Sequence, residues 1–471
     1  MRFTFRNFLL FLAILLVNAA LSAQPLAFPH AEGFGRFSFG GRGGDVYHVT
    51  TLEDYNPKVD KAIIGSLRHG MLSQEGPRTI VFDISGTICL KEELRGTKSY
   101  LTIAGQTAPG DGITLRDYTF KLTGKEGEPI HDIIIRFIRF RYGDVTKQSG
   151  DGLSTNWVND LILDHISAGW TIDAIHDLRD AARFTMQWSV FAEALNMSTH
   201  YKNQAHAMLS SYSHLYGNVT VHHNLMASSR NRHPTLGGGN RTDTTAVVDF
   251  RNNLVFNWAS GTNFGQCRHN LINNYYKPGE STDYKENKPL RMKSERATSG
   301  VGYLSGNYFA GAPKEFNSDN YTAVDYNLYG TPGGTNKYIG TTRAQWESKS
   351  PFVFGDDLPK TDSPETTYRI VLERAGASLV RDAVDIRVIA GVKDGTNRLI
   401  DSQAQVGGWP ELKSKPALTD SDGDGMPDKW ETANKLNSSG PQDRNNFTLD
   451  KKFTNLEVYL NSLIEHLYKP Y

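Results

Sequence analysis

The sequence predicts an all-β chain wound as a parallel β-helix, and two observations carry that expectation. Short β-rich runs recur as Ile133-Ile134-Ile135, Leu161-Ile162-Leu163, Phe184-Thr185-Met186, Val219-Thr220-Val221 and Val247-Val248-Asp249-Phe250, separated by roughly 23 to 35 residues. Asparagine follows several runs of this kind, at Asn224, Asn253, Asn274 and Asn307. Extended runs with one apolar side, repeated and separated by irregular loops, stack as coils that bury their inner side chains against neighbouring coils. Asparagine suits the bends because it tolerates a left-handed backbone and can bond to its copy one coil away. A β-sandwich would instead place strands every 8 to 12 residues or so, with hairpin signals between them. Two-residue Asn-Gly hairpins are largely missing from this sequence.

The elements follow in chain order. Met1 to Ala23 has basic Arg2 and Arg6, an apolar run from Phe8 to Val17 and small residues before Gln24. This reads as a cleaved signal peptide, with the mature protein secreted or periplasmic. The β-helix is expected over 24–345 and a wrapped tail or linker over 346–415. Within that tail Pro351 to Pro364 is rich in proline and acid, and Tyr368 to Val388 has mixed helical character. Composition changes again near Pro416, so 416–471 is expected to be a small separate module.

Composition narrows the partners. Among 471 residues, 51 Lys plus Arg balance 51 Asp plus Glu. The whole-chain charge therefore predicts no nucleic-acid or membrane partner, and any electrostatic site must be local. A monomer is expected. Cys89 and Cys267 are the two cysteines, which excludes a disulfide scaffold and a cysteine zinc site. A single bridge between them and two unpaired thiols both stay open.

The last module carries the sharpest motif. Asp420-Ser-Asp422-Gly-Asp424-Gly425-Met-Pro-Asp428-Lys-Trp-Glu431 sets carboxylates at loop positions one, three, five, nine and twelve, with glycine at six. That is EF-hand spacing: oxygen ligands on alternate residues converge on a hard cation around a sharp glycine turn. Asp420, Asp422, Asp424, Asp428 and Glu431 are thus expected to hold a structural calcium that orders the tail, including the amphipathic Phe453 to Leu467. A second, looser acidic set comprises Asp151 in SGDGLST and Asp173 and Asp177 in GWTIDAIHD. These precede an arginine-rich turn at Arg230, Arg232, His233 and Pro234, with Arg241 shortly after. Arginine beside metal-bound acids supplies both charges needed to grip a uronate, which points to an acidic polysaccharide.

Several ordered motifs together carry a resemblance. GTICLKEEL, TIAGQTAPGDGI, LILDHISAGW, VTVHHN, Arg232-His233-Pro234 and the tail DSDGDGMPDKWE followed by FTNLEVYLNSL are similar to those of secreted bacterial pectate lyases of the first polysaccharide lyase family. The tail loop also resembles EF-hand and thrombospondin type 3 calcium loops. The resemblance runs from about Phe28 to the C-terminus. It implies a right-handed parallel β-helix that cleaves polygalacturonate of the plant cell wall by calcium-dependent β-elimination to 4,5-unsaturated products.

Carried over by motif, Asp151, Asp173 and Asp177 match the carboxylates that bind the catalytic calcium. Arg232 matches the arginine that takes the C5 proton, and Lys202 in STHYKNQAH matches an assisting lysine. Arg230, His233 and Arg241 are expected to bind substrate. Two positions depart from the pattern: Ala174 stands where relatives often have glutamate, and Ala207 where they have glycine. Two other readings are a non-catalytic pectin-binding β-helix and a glycoside hydrolase using a carboxylate pair such as Asp164 and Glu193 without metal.

Overall fold

A computed structural model describes residues 24–200, 202, 204–285, 287–292, 300–327, 341–352 and 358–468. The expected signal peptide lies outside the described residues. Every strand pairing within the two large sheets is parallel, and each strand pairs with the one a coil further along. One sheet has nine strands, from Gly86–Cys89 to Tyr308–Phe309. The other has seventeen and combines two faces, because Leu153–Asp164 and Ala174–Gln187 each bend from one face into the next.

The first face carries Leu153–Asn156, Ala174–Arg179, Met208–Ser213 and Thr235–Gly238, with a register shift in the last pairing between Tyr212 and Ser213. The second carries Ile130–Arg136, the later halves of the two long strands, Val219–His222 and Val247–Arg251. The nine-stranded sheet forms the third. This is a parallel β-helix, as the recurring runs predicted: leucine, isoleucine, valine and phenylalanine of all three faces meet in one continuous core.

The bends explain the asparagines. Asn224 donates through its backbone N–H (3.1 Å) and Nδ2 (3.0 Å) to Asn253 Oδ1, and Asn253 does the same to Asn274 at 2.9 and 3.1 Å. The ladder continues through Asn307 to Asn320, all buried. The left-handed backbone expected at these asparagines belongs to the residue before each: His223 (φ 55), Asn252 (φ 50), Asn273 (φ 51) and Gly306 (φ 66). The ladder residues themselves are selected for bonding. Asn253→Ala leaves buried donors of Asn224 without an acceptor. It is expected to lower stability by about 2–4 kcal/mol in a denaturant titration. A change under 1 kcal/mol would mean that the ladder is ornamental.

Flanking segments cover two faces. Residues 33–41 run over the second face, where Gly35 N donates to Thr185 Oγ1 at 2.8 Å and Gly41 N to Thr102 Oγ1 at 2.9 Å. The approach needs glycine, since a Cβ at Gly35 would sit 2.4 Å from the Leu161 carbonyl oxygen. Helices Pro364–Arg374 and Ala383–Asp394 are capped by Ser363 and Asp382, and the second ends at left-handed Gly395. Their Val371, Leu372, Val388 and Val392 pack on Val190, Leu225, Leu254 and Phe256 of the third face. Met426, Leu456, Tyr459 and Leu460 of the C-terminal segment pack with Ala104. Both cysteines are unbridged, Cys89 exposed and Cys267 buried.

Candidate functional site

The coil register gathers the acids that the sequence scatters. Leu153 lies opposite His176 and Ser154 opposite Asp177 on the first face. Asp151 therefore falls beside the start of the next coil, where its Oδ1 accepts the N–H of Ala174 at 3.0 Å. Burial raises the pKa of Asp151, and the negative charges of Asp177 and Asp173 raise it further. The same carboxyl also feels the positive charge of Arg232.

Arg232 arrives two coils after Asp173 and three after Asp151. Asn231 bridges Met208, and Ser210 N donates to the Arg232 carbonyl at 3.0 Å. The residue adopts a left-handed backbone (φ 62), with its N–H held at 2.7 Å by Asn231 Oδ1. Arg232 is half-buried, so its side chain retains access to the surface.

Asp173 is handled differently from the other two acids. His206 Nε2 lies 2.9 Å from its Oδ1 and His200 Nε2 3.7 Å from its Oδ2. The two imidazoles are stacked at 3.8 Å. Although burial works in the other direction, the His206 hydrogen bond and the charges of His206 and Arg232 hold Asp173 below its ordinary pKa. Among the described residues, Asp173, His200 and His206 bring ligand atoms within 4.8 Å of one another, whereas Asp151, Asp173 and Asp177 do not form such a set. Sequence reasoning passed over both histidines. They flank Lys202 in the same STHYKNQAH segment and were the available signal. Lys202 is exposed, its N–H 3.2 Å from His200 Nδ1, and its charge depresses the His200 pKa after burial and His206.

The remaining candidates separate. His233 was expected to face substrate, but it is wholly buried, and burial pushes its pKa down to about 3. A neutral ring inside the coil does not reach a ligand, so it leaves the substrate-facing set. Arg241 Nη2 donates to Asp180 Oδ1 at 2.7 Å, at the corner between the first and second faces. Arg230 is exposed beside Arg232. Ala174 is 1% exposed and Ala207 has φ 40 with its carbonyl taking the N–H of Arg230 at 2.9 Å. The second position has the left-handed backbone that glycine favours. The carboxylate pair weighed for hydrolysis is occupied internally: Asp164 by Arg136 and His165, Glu193 by Trp170 and Arg387.

The tail loop forms a second acidic cluster. Gly425 has φ 90, the turn its position in the motif requires. Asp420, Asp422 and Asp424 converge within 4.8 Å, and so do Asp424, Glu431 and Asp443. Burial raises Asp424 to about 7 and Glu431 to about 8, and neighbouring carboxylates add to both. Asp428 turns away, accepting the N–H and hydroxyl of Ser421 at 2.7 Å each. Asp443 lies outside the motif spacing and carried no sequence signal.

Curated relatives match almost end to end. The probable pectate lyase C of Neosartorya fischeri is 32% identical over 470 residues, covering 97% of this chain and 99% of the relative. The chain belongs to the pectate lyase family. A second relative, the probable pectate lyase C of Emericella nidulans, is 31% identical over 453 residues, with 94% of each chain covered. These two pectate lyases are fungal, whereas the sequence motifs resembled bacterial ones. The pectate lyase of Acidovorax avenae subsp. citrulli is a similar solved structure, with a TM-score of 0.48 and 14% identity over 77% of this chain and 98% of that one. No protein-family model matches the chain. Among the described residues, no helix is long and apolar enough to cross a membrane.

Proposed function

We propose that this member of the family cleaves de-esterified polygalacturonate of the plant cell wall by calcium-dependent β-elimination, releasing 4,5-unsaturated oligogalacturonides. The observation that supports the reading is the stacking of Asp151, of Asp173 and Asp177, and of Arg232 on different coils of one face. Asp151, raised by burial and by the charges of Asp177 and Asp173, would join those two acids as hard-oxygen ligands of calcium once an ion draws the three carboxylates together. Asp173 retains lone pairs beyond those facing His200 and His206. A bound calcium ion supplies Lewis-acid polarisation of the uronate carboxylate, which makes the C5 proton more acidic.

The chain's own groups supply the rest. To receive the C5 proton Arg232 must act as the neutral guanidine; the C4–O4 bond breaks as the C4=C5 double bond forms, and the departing O4 takes its proton from water. Lys202 stabilises negative charge growing on the sugar. Arg230, exposed beside Arg232, would bind a further uronate carboxylate. In this reading 24–345 is the catalytic part, 346–415 a wrapped covering and 416–471 a calcium-ordered tail of a monomer. The 1–23 segment directs export.

An ultraviolet absorbance assay on polygalacturonate tests the proposal. Calcium at mildly alkaline pH is expected to produce a steady rise from the unsaturated product, and excess chelator to abolish it. Reducing ends without absorbance would mean hydrolysis, and binding with a flat trace would mean a non-catalytic pectin-binding protein.

A further inference from the structure

We infer that the C-terminal tail holds two calcium ions rather than one, and that Asp443 anchors the second. The carboxylates fall into two groups that share Asp424: Asp420, Asp422 and Asp424 in one, Asp424, Glu431 and Asp443 in the other, each with ligand atoms within 4.8 Å. Glu431 is 0% exposed and neither of its carboxylate oxygens has a hydrogen-bond partner. Asp424 is also 0% exposed, with Oδ2 unpartnered, and Asp443 Oδ1 is buried and unpartnered.

Other acids of the same loop already accept hydrogen bonds from it, although both oxygens of Asp422 are buried and unpartnered. Asp420 accepts N–H groups of Gly423, Asp424 and Gly425, and Asp428 is filled by Ser421. Among the described residues, the ion pair reaching the cluster is His48 to Asp420 at 3.6 Å, and none reaches Asp424, Glu431 or Asp443. Buried carboxylates without donors or cations are strongly unfavourable. A single divalent ion among Asp420, Asp422 and Asp424 neutralises two charges and leaves Glu431 and Asp443 facing each other. A second ion, bridged through Asp424, meets that deficit with the oxygen ligands calcium prefers.

Asp443 also gives the second ion a structural consequence. Its Oδ2 accepts the N–H of Asn437 at 2.9 Å, and its carbonyl accepts Asn455 Nδ2 at 2.9 Å. Next to it, Arg444 and Asn445 donate to the Gly44 carbonyl at 3.3 Å. The ion would therefore tie the loop both to the helix Asn455–Ser462 and to the first coils of the β-helix. The first ion closes only the loop itself.

Native mass spectrometry of the full mature chain, titrated with calcium, tests this. Asp177→Asn, which disables the candidate catalytic site, serves as the background so that the count concerns the tail and is independent of the lyase reading. That chain is expected to retain two tightly held calcium ions. Adding Asp443→Asn is expected to remove one of them, and Asp424→Asn to remove both. A single ion in the Asp177→Asn chain, or an equal count with and without Asp443→Asn, overturns the proposal. The first of these needs no tail variant to fold.

Discussion

Arg232→Lys is expected to lower the rate of unsaturated-product formation by about 10²- to 10⁴-fold, the range for loss of a positioned proton acceptor. Lysine keeps the charge that Asp151 and Asp173 experience from this position. It lacks the planar, delocalised fork of a guanidinium, so charge and proton acceptance are separated by the substitution. The left-handed Arg232 backbone and the bond its N–H donates to Asn231 Oδ1 do not involve the Arg232 side chain, so the variant retains them. Steady-state kinetics should therefore show kcat falling while KM changes little. A loss of less than tenfold would remove Arg232 from the proton-transfer role. A large rise in KM at constant kcat would make it a binding residue only.

The largest effect on stability is expected at Arg136. Its Nε donates to Asp164 Oδ2 at 2.8 Å, its Nη1 to Asn461 Oδ1 at 3.2 Å, and its guanidinium lies 3.7 Å over the Phe28 ring. One side chain thus joins the second face, the N-terminal covering and the tail helix. Asp164 is wholly buried, and its other oxygen takes His165 and Gln187 at 2.9 Å each. Arg136→Met strands that carboxylate and is expected to cost about 3–5 kcal/mol in equilibrium unfolding. A cost below 1 kcal/mol would show that His165 and Gln187 suffice.

The same cluster sets a pH dependence. Burial alone would raise Asp164, but His165 and Arg136 outweigh it and hold the carboxyl well below the usual range. An aspartate whose folded pKa is depressed contributes stability that is fully present above its unfolded value of about 3.9 and lost as pH falls through the folded value. Stability measured in acid should decline below about pH 4, and Asp164→Asn should flatten that slope while lowering the neutral plateau.

The coils were legible because their cause is local. Val219-Thr220-Val221 and its counterparts are β-branched runs with an inner apolar side, and only stacking on their own kind buries that side. The asparagine ladder was legible for the same reason, although its partner at Asn320 and the left-handed positions one residue earlier were not. The acidic loop around Gly425 could also be read directly, since most of its carboxylates are spaced along a single turn.

What the tertiary structure alone decided is which distant residues share a place. The coil register brings Arg232 to the face that carries Asp151 and Asp173, turns Asp173 toward His200 and His206, and buries His233 inside the wall. It substitutes Asp443 for Asp428 at the tail cluster, because a chain that folds back supplies an oxygen at any sequence distance. Periodicity records which face a residue occupies within its own coil. Contacts between coils depend on loop lengths and on how the covering segments pack, and those quantities leave no periodic trace in the sequence.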